Sequence, residues 1–161
     1  MNVNEMLIEK YGLHIPAAPK PVALYRPVTQ TGNLLFLSGQ TGKLDGKLQH
    51  TGMLGRDISI EDAKVSARLA ALNLLAVLWE YLGGELERVE KIVQLTGYIR
   101  SAPDFGDQPA VMNGASELFR DVFGDDGIAA RAALGTNELP EGAPIEVLAV
   151  VELKADKQFR W

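Results

Sequence analysis

Arg131 is the lone charge in Ile128-Ala129-Ala130-Arg131-Ala132-Ala133-Leu134, a run of small and apolar residues that reads as an inner strand. A guanidinium among such neighbours is costly to bury unless it meets a carboxylate. Two roles satisfy that demand. One is a structural ion pair with Glu146, Glu152 or an aspartate of another subunit, which is the commoner fate of such an arginine. The other is a planar fork that grips the carboxylate of a small ligand through two hydrogen bonds, with Ala133 leaving the ligand room. Glu146 poses the matching question, because it stands early in the apolar run Ile145-Glu146-Val147-Leu148-Ala149-Val150-Val151. It could balance Arg131, or partial burial could raise its pKa so that it positions water and moves a proton.

Other chemistry is poorly represented. Gly39-Gln40-Thr41-Gly42-Lys43 has glycines and a lysine, but its spacing is too short for a phosphate loop, and Leu44 stands where a metal-binding hydroxyl is needed. His14 and His50 lie in separate proline-rich or polar stretches and read as exposed loop residues; two isolated histidines do not make a typical zinc site. No Gly-x-Ser-x-Gly elbow occurs. With no cysteine there is no disulfide, thiol nucleophile or thiolate metal site, which fits a reducing cytoplasm.

The elements that must position Arg131 and Glu146 follow from pattern. Asn2 to Tyr11 reads as a short helix with Val3, Met6, Leu7 and Tyr11 on one side, stopped by Gly12. Pro16, Pro19 and Pro21 then enforce an extended segment. Ala23 to Thr31 and Leu34 to Gly39 are expected strands turning at Thr31-Gly32-Asn33, and Asp45-Gly46 marks a small hairpin or loop within Gly42 to Gln49. Ser59 caps a long helix that runs to Leu82 before Gly83-Gly84. A strand from Val89 to Ser101 precedes a second helix, capped by Asp107, with Pro109 in its first turn and its end near Phe123. Ile128 to Gly135 and Pro144 to Lys154 complete the set as strands.

The order hairpin, helix, strand, helix, strand, strand describes one α+β domain over residues 1–161, with 1–20 as an amino-terminal extension. The last strand is apolar on both faces, as covered strands are. Right-handed crossovers place both long helices on one face of the sheet. The helix-free face then needs a second subunit, and a polar residue on it becomes a candidate for an intersubunit site.

Composition narrows the partners. The hydrophobic fraction of 47% and charged fraction of 23% are those of a globular domain, with no apolar run long enough for a membrane and no secretion-type leader. A net charge of −5 with scattered Lys and Arg argues against nucleic acid.

Three stretches together resemble the Rid family, also called YjgF or endoribonuclease L-PSP-like. They are Tyr25 with Thr31 through Gln40, then Asn113-Gly114-Ala115, then Arg131 through Leu139-Pro140-Glu141-Gly142-Ala143-Pro144-Ile145-Glu146-Val147. Ser101-Ala102-Pro103-Asp104-Phe105 with Gln108-Pro109, and the amino-terminal helix, are similar to a longer YjgF-like subgroup. The resemblance implies a chorismate-mutase-like subunit with a mixed sheet and two main helices on one face. It implies a homotrimer with clefts between subunits, and metal-independent, cofactor-free hydrolysis of 2-imino acids or their enamine tautomers (2-aminoacrylate-like) to 2-oxo acids and ammonia. By position, Arg131 would hold the substrate carboxylate, Glu146 would orient or activate water, and Tyr25 would close the cleft from an adjoining chain. Ser38, Gly39, Ala133 and Asn113 would complete the binding site. Deaminases of this type carry a cysteine two residues after the arginine, where this chain has Ala133. The alternatives are a non-catalytic binder of small 2-oxo carboxylates and, following the older family name, a ribonuclease.

Overall fold

The computed structural model describes residues 3–155, with side chains from residue 5 onward. Helix α1 covers Val3–Tyr11 and stops at Gly12, whose φ of 62° suits a residue without Cβ. Leu7 is fully buried, and Met6 and Tyr11 pack against the core, as the helical spacing requires. Asn2 and the side chain of Val3, expected on the same helix, lie outside the described residues.

The first strand is shorter than its pattern suggests: β1 is Val28–Thr31 rather than a strand from Ala23. Pro27 has no N–H to give a ladder and disfavours regular structure at Arg26, so pairing begins only beyond it. Strand β2, Leu34–Thr41, pairs antiparallel with β1 as far as Leu37. Past that point β2 has no strand on its outer side, and its register with its inner neighbour shifts between Leu37 and Gln40. Strands β3 (Lys43–Leu44) and β4 (Lys47–Leu48) form the small hairpin, with Asp45 and Gly46 both at positive φ.

Helix α2 spans Ile60–Tyr81, and the Ser59 hydroxyl accepts the Asp62 amide at 3.1 Å. Strand β5 (Val89–Arg100) follows, then helix α3 (Gln108–Phe123). Asp107 precedes α3 but makes no side-chain capping bond; Gln108 instead turns back to the Phe105 carbonyl at 2.8 Å. Strands β6 (Ala130–Thr136) and β7 (Ile145–Leu153) end the described fold.

The main sheet runs β1-β2-β7-β5-β6, antiparallel except for the parallel β5–β6 pair. Ile145, Val147, Ala149, Val151 and Leu153 of β7 are buried against α2 and α3, while Glu146, Leu148, Val150 and Glu152 alternate onto the other face and stay half-exposed. Both long helices therefore lie on one face, as the crossover rule requires. The opposite face carries Phe36, Tyr98 and Leu134, all exposed in the single chain. One expectation is corrected here. β6 is an edge strand, so Arg131 does not sit on an inner strand.

The helices meet closely because α3 has a glycine at the crossing. A Cβ on Gly114 would fall 2.1 Å from the Lys64 carbonyl oxygen of α2. Ion pairs flank the seam, Lys64–Glu117 at 2.9 Å and Arg68–Asp121 at 3.1 Å. Such partly exposed pairs contribute only about 0.2–1 kcal/mol each, so the close apolar contact stabilises the seam more than they do. We expect Gly114→Ala to destabilise the fold by about 2–3 kcal/mol through overpacking. Gly97→Ala, which meets the flexible Met112 thioether, should cost less. Urea midpoints at equal m-value would check both.

Candidate active site

Sheet geometry divides the expected site residues into two groups. Glu146 of β7 lies opposite Tyr98 of β5, and both belong to the helix-free face. Arg131 of β6 lies beside Leu95, which is buried under the helices. Arg131 therefore points toward the helix-bearing side, against the expectation that a site residue of this kind would lie on the helix-free face. Two strand spacings and three residues of rise separate Arg131 from Glu146, roughly 14 Å between backbones. An ion pair between them within one chain is excluded. Glu152 does not supply one either, since it accepts from Lys91 at 3.2 Å.

The first group lines a cleft of about 680 Å³ containing Tyr25, Ser38, Gly39 and Glu146. It opens where β1 stops and leaves the far half of β2 as an edge. Gly39 lets the Glu146 carboxylate lie close against β2, because a Cβ there would displace that side chain. Ser38 donates its hydroxyl to the Arg26 carbonyl at 2.6 Å, which pins the irregular segment carrying Tyr25 over the cleft. Glu146 is half-buried and has no hydrogen bond or ion pair among the described residues. Desolvation pushes its carboxyl above the usual glutamate range.

The second group lines a shallower hollow of about 350 Å³ between α3 and β6, with Asn113, Ser116, Ile128 and Arg131. Arg131 donates to the Ser116 hydroxyl at 3.0 Å and to the Pro109 carbonyl at 3.2 Å. Both acceptors are neutral, so the guanidinium is aimed but keeps its full charge for an anion. Ala133 lies two residues along on the same side of β6 and packs against the core. Ser116 was not anticipated from sequence, although its spacing from Asn113 places both on one face of α3.

The remaining candidates behave differently. Gly39 to Thr41 form part of β2, so the glycine-lysine run is a strand and not a phosphate loop. His14 is exposed as expected, but His50 is half-buried, with Nδ1 3.1 Å from the Ser66 hydroxyl. Among the described residues no three acidic or histidine side chains cluster as a metal site, and no helix is long and apolar enough to cross a membrane.

Residues 5–156 match the family model described as "YjgF/chorismate_mutase-like, putative endoribonuclease". The chain belongs to the Rid/YjgF family. It is 38% identical over 147 residues to Protein TCP17 of Trypanosoma cruzi, covering 91% of each chain. It is 31% identical over 139 residues to a 2-iminobutanoate/2-iminopropanoate deaminase of Dermatophagoides farinae, covering 86% of this chain and 93% of that one. Among solved structures it resembles Atu1372 of Agrobacterium tumefaciens, a protein of unknown function, with a TM-score of 0.87, 39% identity and coverage of 94% and 93%. The YjgF fold and the α+β class read from the sequence are both observed.

The raised Glu146 carboxyl has a consequence for stability. A carboxyl whose folded pKa lies above its unfolded value favours the fold most when neutral, below the ordinary glutamate value of 4.5. That contribution is lost as pH rises through the folded value. Glu146→Gln should therefore raise the thermal midpoint at pH 7, and the difference should vanish near about pH 4. Parallel thermal melts across that range would check the sign.

Proposed function

We propose that this protein hydrolyses reactive 2-imino acids, or their enamine tautomers, to 2-oxo acids and ammonia. The reaction takes place in clefts where the Glu146 group of one copy meets the Arg131 group of another in a homotrimer. The observation that carries this reading is the pair of unneutralised charges: Arg131 without a carboxylate and Glu146 without a cation, on opposite sides of one sheet. A ligand carboxylate satisfies the first, and a water at an imine carbon satisfies the second. The apolar helix-free face with Phe36, Tyr98 and Leu134, and the protruding Val22 and Leu24 beside Tyr25, supply surface for a second copy to cover.

The chemistry needs no metal. Arg131 holds the carboxylate and so fixes the imine carbon in place. Glu146 takes a proton from water as the oxygen attacks the carbon of the protonated imine, giving a neutral tetrahedral carbinolamine. It returns that proton to nitrogen and, as the C–N bond breaks, takes the hydroxyl proton and passes it to the departing ammonia, leaving the 2-oxo acid and ammonium. A carboxyl raised toward neutrality serves both as acceptor and as donor, and acid–base help of about 10²–10⁴-fold is in reach. Ala133 removes any thiol from this scheme without removing the acid–base pair.

Ribonuclease activity is less well supported. Lys20, Lys43, Lys64, Arg68, Lys91 and Arg100 are all engaged with carboxylates, which lowers the positive charge that they offer to phosphates.

The test is ammonia release from imino acids generated in situ. Wild type should accelerate it, and Arg131→Ala should lose at least about 100-fold in kcat/KM, equivalent to a charged contact and its orienting effect. Binding of 2-oxo acids without any acceleration would leave a binding protein in its place.

A further inference from the structure

The Glu146 cleft is much larger than a small imino acid requires. A three-carbon imino acid has six heavy atoms and fills about 100–150 Å³, on the scale where a water takes about 30 Å³. In the single chain the cleft measures about 680 Å³, a volume that the ligand shares with the covering face of the second copy.

Its extra space is lined in a particular way. Pro16, Ala17, Ala18, Pro19 and Val22 of the amino-terminal segment make one wall. Prolines offer no N–H and alanines no polar side-chain atom, so this wall suits an apolar stem. The wall is held in place before any ligand arrives: Ile15 and Ala18 pack against the core, and Lys20 pairs with Glu80 of α2 at 2.8 Å.

Two buried amides lie at the cleft, and one of them has no side-chain partner at all among the described residues. Asn73 donates both its amide protons, to the Thr41 carbonyl at 3.0 Å and the Lys43 carbonyl at 2.9 Å. Gln40 is 9% exposed, yet its side-chain amide has no partner among the described residues. Buried polar groups in folded proteins are nearly always satisfied, so a free amide lining a cavity is a recognition element.

Charge excludes one class of side chain. Lys43 is neutralised by Glu141, and Lys20 by Glu80, while Asp45 and Glu146 add negative charge to the lining. Among the described residues of this lining, no free cation remains for a second anionic group.

We propose that the cleft selects 2-imino or 2-oxo acids with a long, uncharged side chain, its stem lying on the wall formed by residues 16–22 and a neutral hydrogen-bonding group reaching Gln40. This rests on the deaminase reading for the reaction, but the selectivity can be read separately. The experiment uses the full chain and imines generated by an amino-acid oxidase from alanine, norleucine, citrulline and glutamate.

In kcat/KM, the citrulline- and norleucine-derived imines should exceed the alanine-derived one by about 10-fold or more, with the glutamate-derived imine poorest. Ala17→Trp, an exposed cleft-lining position, should lower the two long substrates by at least about 5-fold more than the alanine-derived imine. Gln40→Leu should lower the citrulline-derived imine about 10-fold and spare the norleucine-derived one. A series with no dependence on length, a best rate for the alanine- or glutamate-derived imine, or equal losses across the series in Ala17→Trp would overturn the proposal. If no imine is accelerated, the deaminase reading fails alone. The same series of 2-oxo acids, ranked by thermal stabilisation of wild type and Ala17→Trp, then decides the selectivity. Absence of any stabilisation would refute both.

Discussion

Alternation along a strand assigns each side chain to one face of the sheet, and here it separates the two groups on which the chemistry depends. Leu95, buried, and Arg131, exposed rather than buried as its apolar neighbours suggested, share the helix-bearing face, while Tyr98 and Glu146 share the face left bare. Neither charge can reach the other, and neither is neutralised locally. Each is held ready by its surroundings: Arg131 by two neutral acceptors on α3, Glu146 by burial behind a residue that has no side chain. A structural ion pair would have spent both charges on stability. Keeping them apart leaves each available to a ligand.

Several local features serve that arrangement. Pro27 ends the β1 pairing early, so the far half of β2 becomes an open edge and the Tyr25 segment is free to lie across it. Ser38 fastens that segment through Arg26, and the register shift after Leu37 brings Gly39 over Glu146. On the other side of the sheet, Gly114 lets α3 approach α2, which sets the height at which Ser116 and the Pro109 carbonyl receive the guanidinium. The glycines act by absence of volume, and the proline by absence of a donor.

Much of this was legible in the sequence. The long helix with its serine cap, the turn at Gly32-Asn33, the two-sided apolar β7 and the helix-free face all follow from period and turn chemistry. Arg131 and Glu146 stood out because charges in apolar strands demand a partner. What the sequence could not convey was which face each would occupy, because β6 pairs in parallel with β5 and its register depends on the length of the preceding turn. The irregular course of Ala23 to Arg26 was hidden for a related reason, since a strand-like pattern is overruled by one proline. Gln40 was visible only as part of a motif. Its unmet amide is a property of packing and has no local signature. The Lys43–Glu141 pair joins segments far apart in the chain and was equally out of reach.

The central claim is that a working site needs the Arg131 side of one copy and the Glu146 side of another. Subunit complementation tests it most directly. Arg131→Ala and Glu146→Gln, each inactive alone, would be co-refolded in equal amounts and assayed for ammonia release from imino acids. Random assembly should restore about a quarter of wild-type activity, because that share of clefts joins two intact halves. A mixture that stays as inactive as its components, while forming the same assemblies as wild type, would contradict the account.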